Sequence, residues 1–498
     1  MFEVAELGHR LTSKEYDRQV PDLRARLLMM QEALKKADFP VIVLLSGGDG
    51  AGKGEMLNRL NEWLDPRYMR SFAFDEPNDG ERSRPLFWRY WRALPARGRI
   101  GLFVGAWYSH PIGLRMDDQL DDAGLDACLQ RVNCFERELV ADGALILKFW
   151  LHLPREEQKK RLQKLESDPS TAWRVSEQDR AHLKTWDKYR GIAERTLRET
   201  SSADAPWTIV ESTDRHYRDV CIATHIAEAV ERRLQHGQHR VEHSPMPPAL
   251  HLPERPLTLL NHLDLHLSLG KKAYEKDLEK WQGRLNVLAR EAGQRKISSI
   301  LVLEGWDAAG KGGLLRRMVP ALDARHYQII PIAAPTDEER AHHYLWRFWR
   351  HVPRAGKITM YDRSWYGRVL VERVEGFATP AEWMRAYGEI NDFEEQLQEQ
   401  GALLMKYWLH IDPDEQLRRF RERETIPYKQ YKITEEDYRN RDRWVAYEQA
   451  VNDMVERTST EYAPWTLVEA NDKRYARIKA IKAWCEALEK RLDGTRGS

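Results

Sequence analysis

One pattern recurs in this chain at a constant spacing. Gly47-Gly48-Asp49-Gly50-Ala51-Gly52-Lys53 returns 258 positions later as Gly305-Trp306-Asp307-Ala308-Ala309-Gly310-Lys311. The same shift carries Phe87-Trp88-Arg89-Tyr90-Trp91-Arg92 onto Leu345-Trp346-Arg347-Phe348-Trp349-Arg350, and Trp107-Tyr108 onto Trp365-Tyr366. It also carries Lys148-Phe149-Trp150-Leu151-His152 onto Lys406-Tyr407-Trp408-Leu409-His410, and Ala205-Pro206-Trp207-Thr208 onto Ala463-Pro464-Trp465-Thr466. No gap is needed, so the chain is a tandem duplication. The period is far too long for a solenoid turn, and each repeat is a whole domain. The domains are placed at 1–238 and 257–498. The intervening 239–256 contains the proline-rich run from Ser244 to Pro256, which is expected to be an extended spacer.

Within each repeat, apolar runs alternate with helical patterns. In the second, the run Ile297 to Leu303 leads into the glycine-rich turn, and Leu314, Leu315 and Met318 begin a helix. Further strands are expected at His326 to Ile332, Ile358 to Tyr361, Ala402 to His410 and Trp465 to Glu469. A long helix is expected from Ala381 to Glu399 and a charged helical segment from Asp414 to Arg457. Such alternation predicts an α/β fold, a parallel sheet with helices on both faces. Ligands of such sheets bind beyond the carboxyl ends of the strands.

Strand, glycine-rich turn and helix form the context of a phosphate-binding loop. Gly305 and Gly310-Lys311 give the G-x-x-x-x-G-K spacing. The backbone of Gly305, Ala308, Ala309, Gly310 and Gly312 is expected to turn its N–H groups toward an anion at the positive end of the following helix. Lys311 adds a mobile charge. Position 312 is glycine, where such loops carry a Ser or Thr for magnesium, so a metal would need another oxygen. Asp307, inside the loop, is the first candidate. Asp362, ending the third strand, is the second, placed as a Walker B aspartate would be. Arg363 and Arg368 beside it are suited to grip phosphate oxygens in a fork. The charged segment with Arg418, Arg419, Arg421 and Arg423, followed by Lys429, Lys432, Arg439, Arg441 and Arg443, sits where a kinase lid would close.

Composition narrows the partners. The net charge is +1 although 32% of the residues are charged. That is unlike a general nucleic-acid binder, so any polyanion site must be local. The four cysteines, Cys128, Cys134, Cys221 and Cys485, have no metal-ligand spacing and read as reduced thiols. The first ten residues lack an apolar core, and no apolar run approaches the ~20 residues that span a bilayer. A cytoplasmic protein without membrane partners is expected.

The motifs Glu304 to Gly313, Asp362-Arg363-Ser364-Trp365-Tyr366-Gly367-Arg368, Pro335-Thr336 with Tyr344-Leu345-Trp346-Arg347, and Val371 to Val374 resemble the type-2 polyphosphate kinases, in their fused two-domain branch. The resemblance implies a duplicated thymidylate-kinase-like P-loop domain with a helical lid. It implies transfer of the terminal phosphoryl of inorganic polyphosphate to AMP, giving ADP, with Mg2+. ADP and GMP stay open as acceptors, and a homo-oligomer is possible for such a chain. The family's functional positions fall on Asp307, Lys311, Asp362 and Arg363, with Arg419 as the first choice of lid arginine and Arg421 the next. An ATP-dependent nucleotide kinase and a non-catalytic binding scaffold are the competing readings.

The first repeat keeps Asp49 and Lys53 but has Val104, Gly105, His110 and Leu114 in the places of Asp362, Arg363, Arg368 and Glu372. Its lid stretch, Arg161-Leu162-Gln163-Lys164, is poorer in arginine. A degenerate site is expected there. His342 and His343 lie on a tryptophan-rich helix and are expected to be structural or to touch substrate rather than to carry a phosphoryl group.

Overall fold

The computed structural model describes residues 1–175, 177–237, 259–427, 430 and 435–494. The proline-rich 239–256 spacer, Lys429 and Lys432 therefore lie outside the described residues. The chain forms two compact units, each built on one repeat. The unit built on the first repeat includes Asp337–His343, and the unit built on the second includes Asn78–Trp88.

The first unit holds strands β1 (Val41–Gly47), β2 (Met69–Ala73), β3 (Ile100–Val104), β4 (Leu145–His152) and β5 (Trp207–Glu211). The second holds β6 (Ser299–Gly305), β7 (Tyr327–Pro331), β8 (Ile358–Asp362), β9 (Leu403–His410) and β10 (Trp465–Glu469). The sheet orders are β2-β3-β1-β4-β5 and β10-β9-β6-β8-β7, with every pairing parallel. This is the α/β architecture expected from the alternating pattern, and the strands fall within two residues of the expected runs. The helices that matter below, numbered in chain order, are α1 (Lys53–Trp63), α2 (Arg215–His236), α3 (Lys311–Met318), α4 (Pro380–Glu399), α5 (Pro413–Thr425), α6 (Glu435–Asp442), α7 (Trp444–Thr458) and α8 (Lys473–Gly494). The single charged segment expected from Asp414 to Arg457 is thus three helices.

The central strands β1 and β6 are buried on both faces; Ile300, Leu301, Val302 and Leu303 are at most 1% exposed. Burying each such aliphatic side chain contributes about 1.5–3 kcal/mol, and a run of them fixes which strand is central. The phosphate-binding sequence follows directly, so burial of this strand places it at the middle of the sheet's carboxyl edge. Among the described residues no helix is long and apolar enough to cross a membrane, and none of the four cysteines is in a disulfide.

Both units carry the same buried polar cluster. In the second, Lys406 Nζ donates to Glu394 Oε2 (2.7 Å), Tyr366 OH (3.0 Å) and the Thr458 carbonyl (2.5 Å). Trp365 Nε1 and Tyr366 OH donate to Glu394 Oε1 at 3.0 and 2.6 Å. In the first, Lys148, Glu136, Tyr108, Trp107 and Thr200 repeat the arrangement. Burial pushes the lysine down in both, and the glutamate opposes this. The cluster anchors the turn after β8, on which Asp362 and Arg363 sit. Removing one partner strands a buried charge, so Lys406→Met should destabilise the chain by at least ~3 kcal/mol in denaturant unfolding, and an unchanged midpoint would contradict the anchoring role.

Candidate functional site

The loop between β6 and α3 is shaped by what bonds its carbonyls. Lys311 Nζ donates to the carbonyls of Gly305 (2.6 Å) and Trp306 (3.3 Å). Gln416 on α5 donates to that of Asp307 (3.2 Å). Arg419 donates to those of Ala308 (2.9 Å) and Ala309 (2.8 Å). Five successive carbonyls are thus held by side chains. The Trp306 and Ala309 amides are spent on the Leu409 and Trp306 carbonyls, so Ala309 does not turn its N–H to an anion as expected, and the other loop amides are left for that role. The turn needs left-handed backbone at Ala308 (φ 65°) and Gly310 (φ 119°), and Gly305 packs so close that a Cβ would lie 2.6 Å from the Leu409 carbonyl. Trp306 stacks on Trp444 of α7 at 3.7 Å. The indole N–H groups of Trp306 and Trp408 both donate to His410 Nδ1, which fixes that histidine as the neutral Nε2–H form. Burial takes His410 down to about 4.

Arg419, the first choice of lid arginine, lines the cavity, but its guanidinium is bonded to the loop's carbonyls. It is 2% exposed, and its remaining nitrogens bind Glu415 (2.5 Å) and the carbonyls of Ala470 (2.6 Å) and Asn471 (2.9 Å) at the end of β10. Its first-repeat counterpart, Arg161, likewise binds the carbonyls of Gly50, Ser212 and Thr213. A guanidinium so saturated is a clamp on the loop. Four residues on, along the same face of α5, Arg423 lines the cavity, whereas Arg421, between them, is exposed and does not. Charge counting did not distinguish these arginines; the i, i+4 spacing would have.

The cavity at the carboxyl edge measures about 640 Å³. It is lined by the loop, Asp362 and Arg363, together with Arg316, Arg419, Arg423, Asn440, Lys473 and Arg477 and the acids Glu422 and Asp437. Asp307, Lys311, Asp362 and Arg363 are therefore brought together as expected, along with Ala308, Ala309, Gly310 and Gly312. Arg368 is not: it pairs with Glu372 (3.2 Å) and lies 4.5 Å over the Tyr344 ring. Its charge belongs to that local packing, which the strand-end position alone did not reveal. Neither His342 nor His343 lines the cavity; His342 Nδ1 meets the Glu338 carbonyl at 2.7 Å, and His343 is buried. Burial, the largest influence, holds Lys311 below the usual lysine range, with Asp307 pulling the other way. Asp307 is held low: burial raises it, but Lys311, Arg363 and the Asn440 amide together outweigh that. Lys473 is taken down to about 8, first by burial and then by Arg419.

Arg363 Nη2 meets Asp307 Oδ1 at 2.9 Å, and Asn440 of α6 donates to Asp307 Oδ2 at 3.0 Å. Asp362, by contrast, accepts no hydrogen bond or ion pair at its carboxylate among the described residues. Its Oδ2 lies 3.9 Å from where a Cβ on Gly312 would stand. The carboxylate therefore occupies the neighbourhood that a Ser or Thr hydroxyl would fill in a loop ending Gly-Lys-Ser. No group of three or more His, Cys, Asp or Glu placed to hold a metal ion occurs among the described residues. The donor set fits magnesium, which takes one or two carboxylates and completes its shell with phosphate and water.

The first repeat differs beyond the strand end. Where Ala476 leaves the space above Gly310 open, Arg218 fills it: a Cβ on Gly52 would lie 1.7 Å from Arg218 Nη1. That buried guanidinium pairs with Asp219 (2.7 Å) and Glu55 (3.2 Å). Arg316 and Arg477 have Asn58 and Asp219 as counterparts, and Asp219 is buried against Arg218, so two cavity arginines are lost there.

A profile of the polyphosphate kinase 2 family matches residues 10–238 and 268–495. The chain belongs to the polyphosphate kinase 2 family. It is 50% identical to a polyphosphate:AMP phosphotransferase of Pseudomonas aeruginosa, over 98% of this chain and 99% of that one. A polyphosphate:AMP phosphotransferase of Pseudomonas syringae pv. tomato is likewise 50% identical, over 98% of both. The crystal structure of a Pseudomonas aeruginosa protein assigned as a polyphosphate kinase 2 superposes with a TM-score of 0.87, at 47% identity and covering 99% of each chain.

The two arginines of α5 should separate experimentally. Arg419→Ala leaves buried carbonyls without donors and should cost at least ~2 kcal/mol of stability. Arg423→Ala should leave the thermal midpoint unchanged and lower kcat on the order of 100-fold. A reversal of the two outcomes would contradict the assignment.

Proposed function

We propose that this chain transfers the terminal phosphoryl of inorganic polyphosphate to AMP, giving ADP, at the second repeat. The observation that carries the site is the single cavity setting where Lys311, Arg363 and Arg423 meet the loop's amides. The donor is supported by Arg316, Lys473 and Arg477, which line the same cavity and bring more basic groups to it than one phosphate needs. The acceptor is supported by two full-length relatives named for AMP.

The chemistry asked of the side chains is positioning and charge neutralisation. An oxygen of the AMP phosphate attacks the terminal phosphorus in line, and the bond to the bridging oxygen of the shortened polyphosphate breaks. Lys311, keeping its two carbonyls, turns its third N–H to the transferred group. Arg363 and Arg423 neutralise oxygens that gain charge, while Arg419 and Gln416 keep the loop in shape. Asp362, with Asp307 held by Arg363 and Asn440, would hold magnesium, which would supply positive charge against the phosphate oxygens. No histidine or cysteine lines the cavity, and none is needed. Turnover belongs to the second repeat because the first lacks the strand-end pair and fills the loop's mouth with Arg218.

A donor swap tests this: ADP formed from AMP with long-chain polyphosphate and Mg2+, against ATP in its place. Polyphosphate should support turnover at least 100-fold faster than ATP. Lys311→Ala should cost on the order of 100-fold or more in kcat, and Lys53→Ala should stay within about 3-fold of wild type. Equal use of ATP, or two equal kcat losses near half, would refute the reading.

A further inference from the structure

Three residues after the last of the buried strand residues, the chain already carries its catalytic charges, and something must hold the second strand end against the first. Arg363 is one of four non-glycine residues with positive φ among those described, at 64°. L-residues avoid this conformation, and it persists only where the surroundings impose it. Before it, the Arg363 N–H donates to the Leu303 carbonyl (3.1 Å), continuing the β6–β8 pairing in which Leu303 faces Asp362. After it, Ser364 Oγ donates to Glu304 Oε1 (2.7 Å) and accepts the Tyr366 N–H (3.3 Å). Glu304 is 5% exposed and Ser364 3%, and neither lines the cavity.

The first repeat supplies the control. Ser46 stands for Glu304, Ala106 for Ser364 and Gly105 for Arg363. The bridge is absent, and the strained position is a glycine with φ 63°, for which that backbone carries no penalty. Bridge and strained arginine are lost together.

We propose that Glu304 and Ser364 form a positioning pair for the transfer reaction. The bridge ties the end of β6 to the turn after β8, so that Arg363 cannot relax to negative φ and its guanidinium stays on Asp307. Without it the turn is held on one side only, and Asp362 and Arg363 lose their registration with the loop. The proposal deepens the phosphotransfer reading and uses its assay, while resting on a contact that can be measured without turnover.

The experiment is a double-mutant cycle of Ser364→Ala, Glu304→Ala and both together, with Glu304→Gln as a conservative variant. Each alanine variant should lower kcat at least 10-fold, with KM for AMP and for polyphosphate within 2-fold of wild type. The double variant should be no worse than the worse single one. Glu304→Gln keeps an oxygen acceptor and should recover most of kcat. Losses that multiply, singles within 2-fold of wild type, or a glutamine variant as poor as alanine would each overturn the proposal. Thermal midpoints of the same proteins read the bridge independently of activity. Shifts smaller in the double variant than the sum of the singles are expected, and additive shifts would overturn it. Should Glu304→Ala fail to fold, Ser364→Ala alone decides, since wild-type kcat there excludes the bridge.

Discussion

A loop that offers its amides to an anion has to dispose of its carbonyls. Here that requirement is met by Lys311, Gln416 and Arg419, which between them bond the carbonyls of residues 305 to 309. Buried carbonyls without donors would cost more than the loop could bear. The lid's first helix, α5, therefore does two jobs from one face: Arg419 shapes the loop and Arg423 reaches the cavity. The same clamp recurs in the first repeat, where Arg161 bonds the Gly50 carbonyl. Its glycines and lysine are part of how the sheet edge is closed.

The two repeats show how function is paid for in backbone strain. Ala308 and Arg363, both lining the cavity, have positive φ, and each costs on the order of 1 kcal/mol. Their counterparts Gly50 and Gly105 adopt nearly the same angles without that cost. In the first repeat the side chains are gone while the backbone course remains. The buried Lys406–Glu394 and Lys148–Glu136 clusters are common to both units because they hold the fold, whatever happens at the edge.

Much of this was legible in the chain itself. The constant shift gave the duplication, the apolar runs gave the strands, and their alternation gave the parallel sheet. Asp307 and Lys311 were picked out by the loop spacing and Asp362 and Arg363 by the end of the third strand, and the structure brings the four to one cavity. What escaped was side-chain direction. Arg419 and Arg368 are arginines beside a phosphate loop, yet one is saturated by carbonyls and the other stacks on Tyr344. Glu304 is written into the loop motif, but its partner Ser364 is 60 residues on, and only strand adjacency joins them. Arg218 escaped too: an arginine in the first turn of a helix reads as solvated until the empty space beside Ala476 is seen.

The central claim is that one of two similar loops binds the donor. The most direct measurement is a calorimetric titration of the full chain with tripolyphosphate and Mg2+. One site per chain is predicted, weakened at least 10-fold by Lys311→Ala and unaltered by Lys53→Ala. Two sites per chain, or a single site that Lys53→Ala removes, would contradict it.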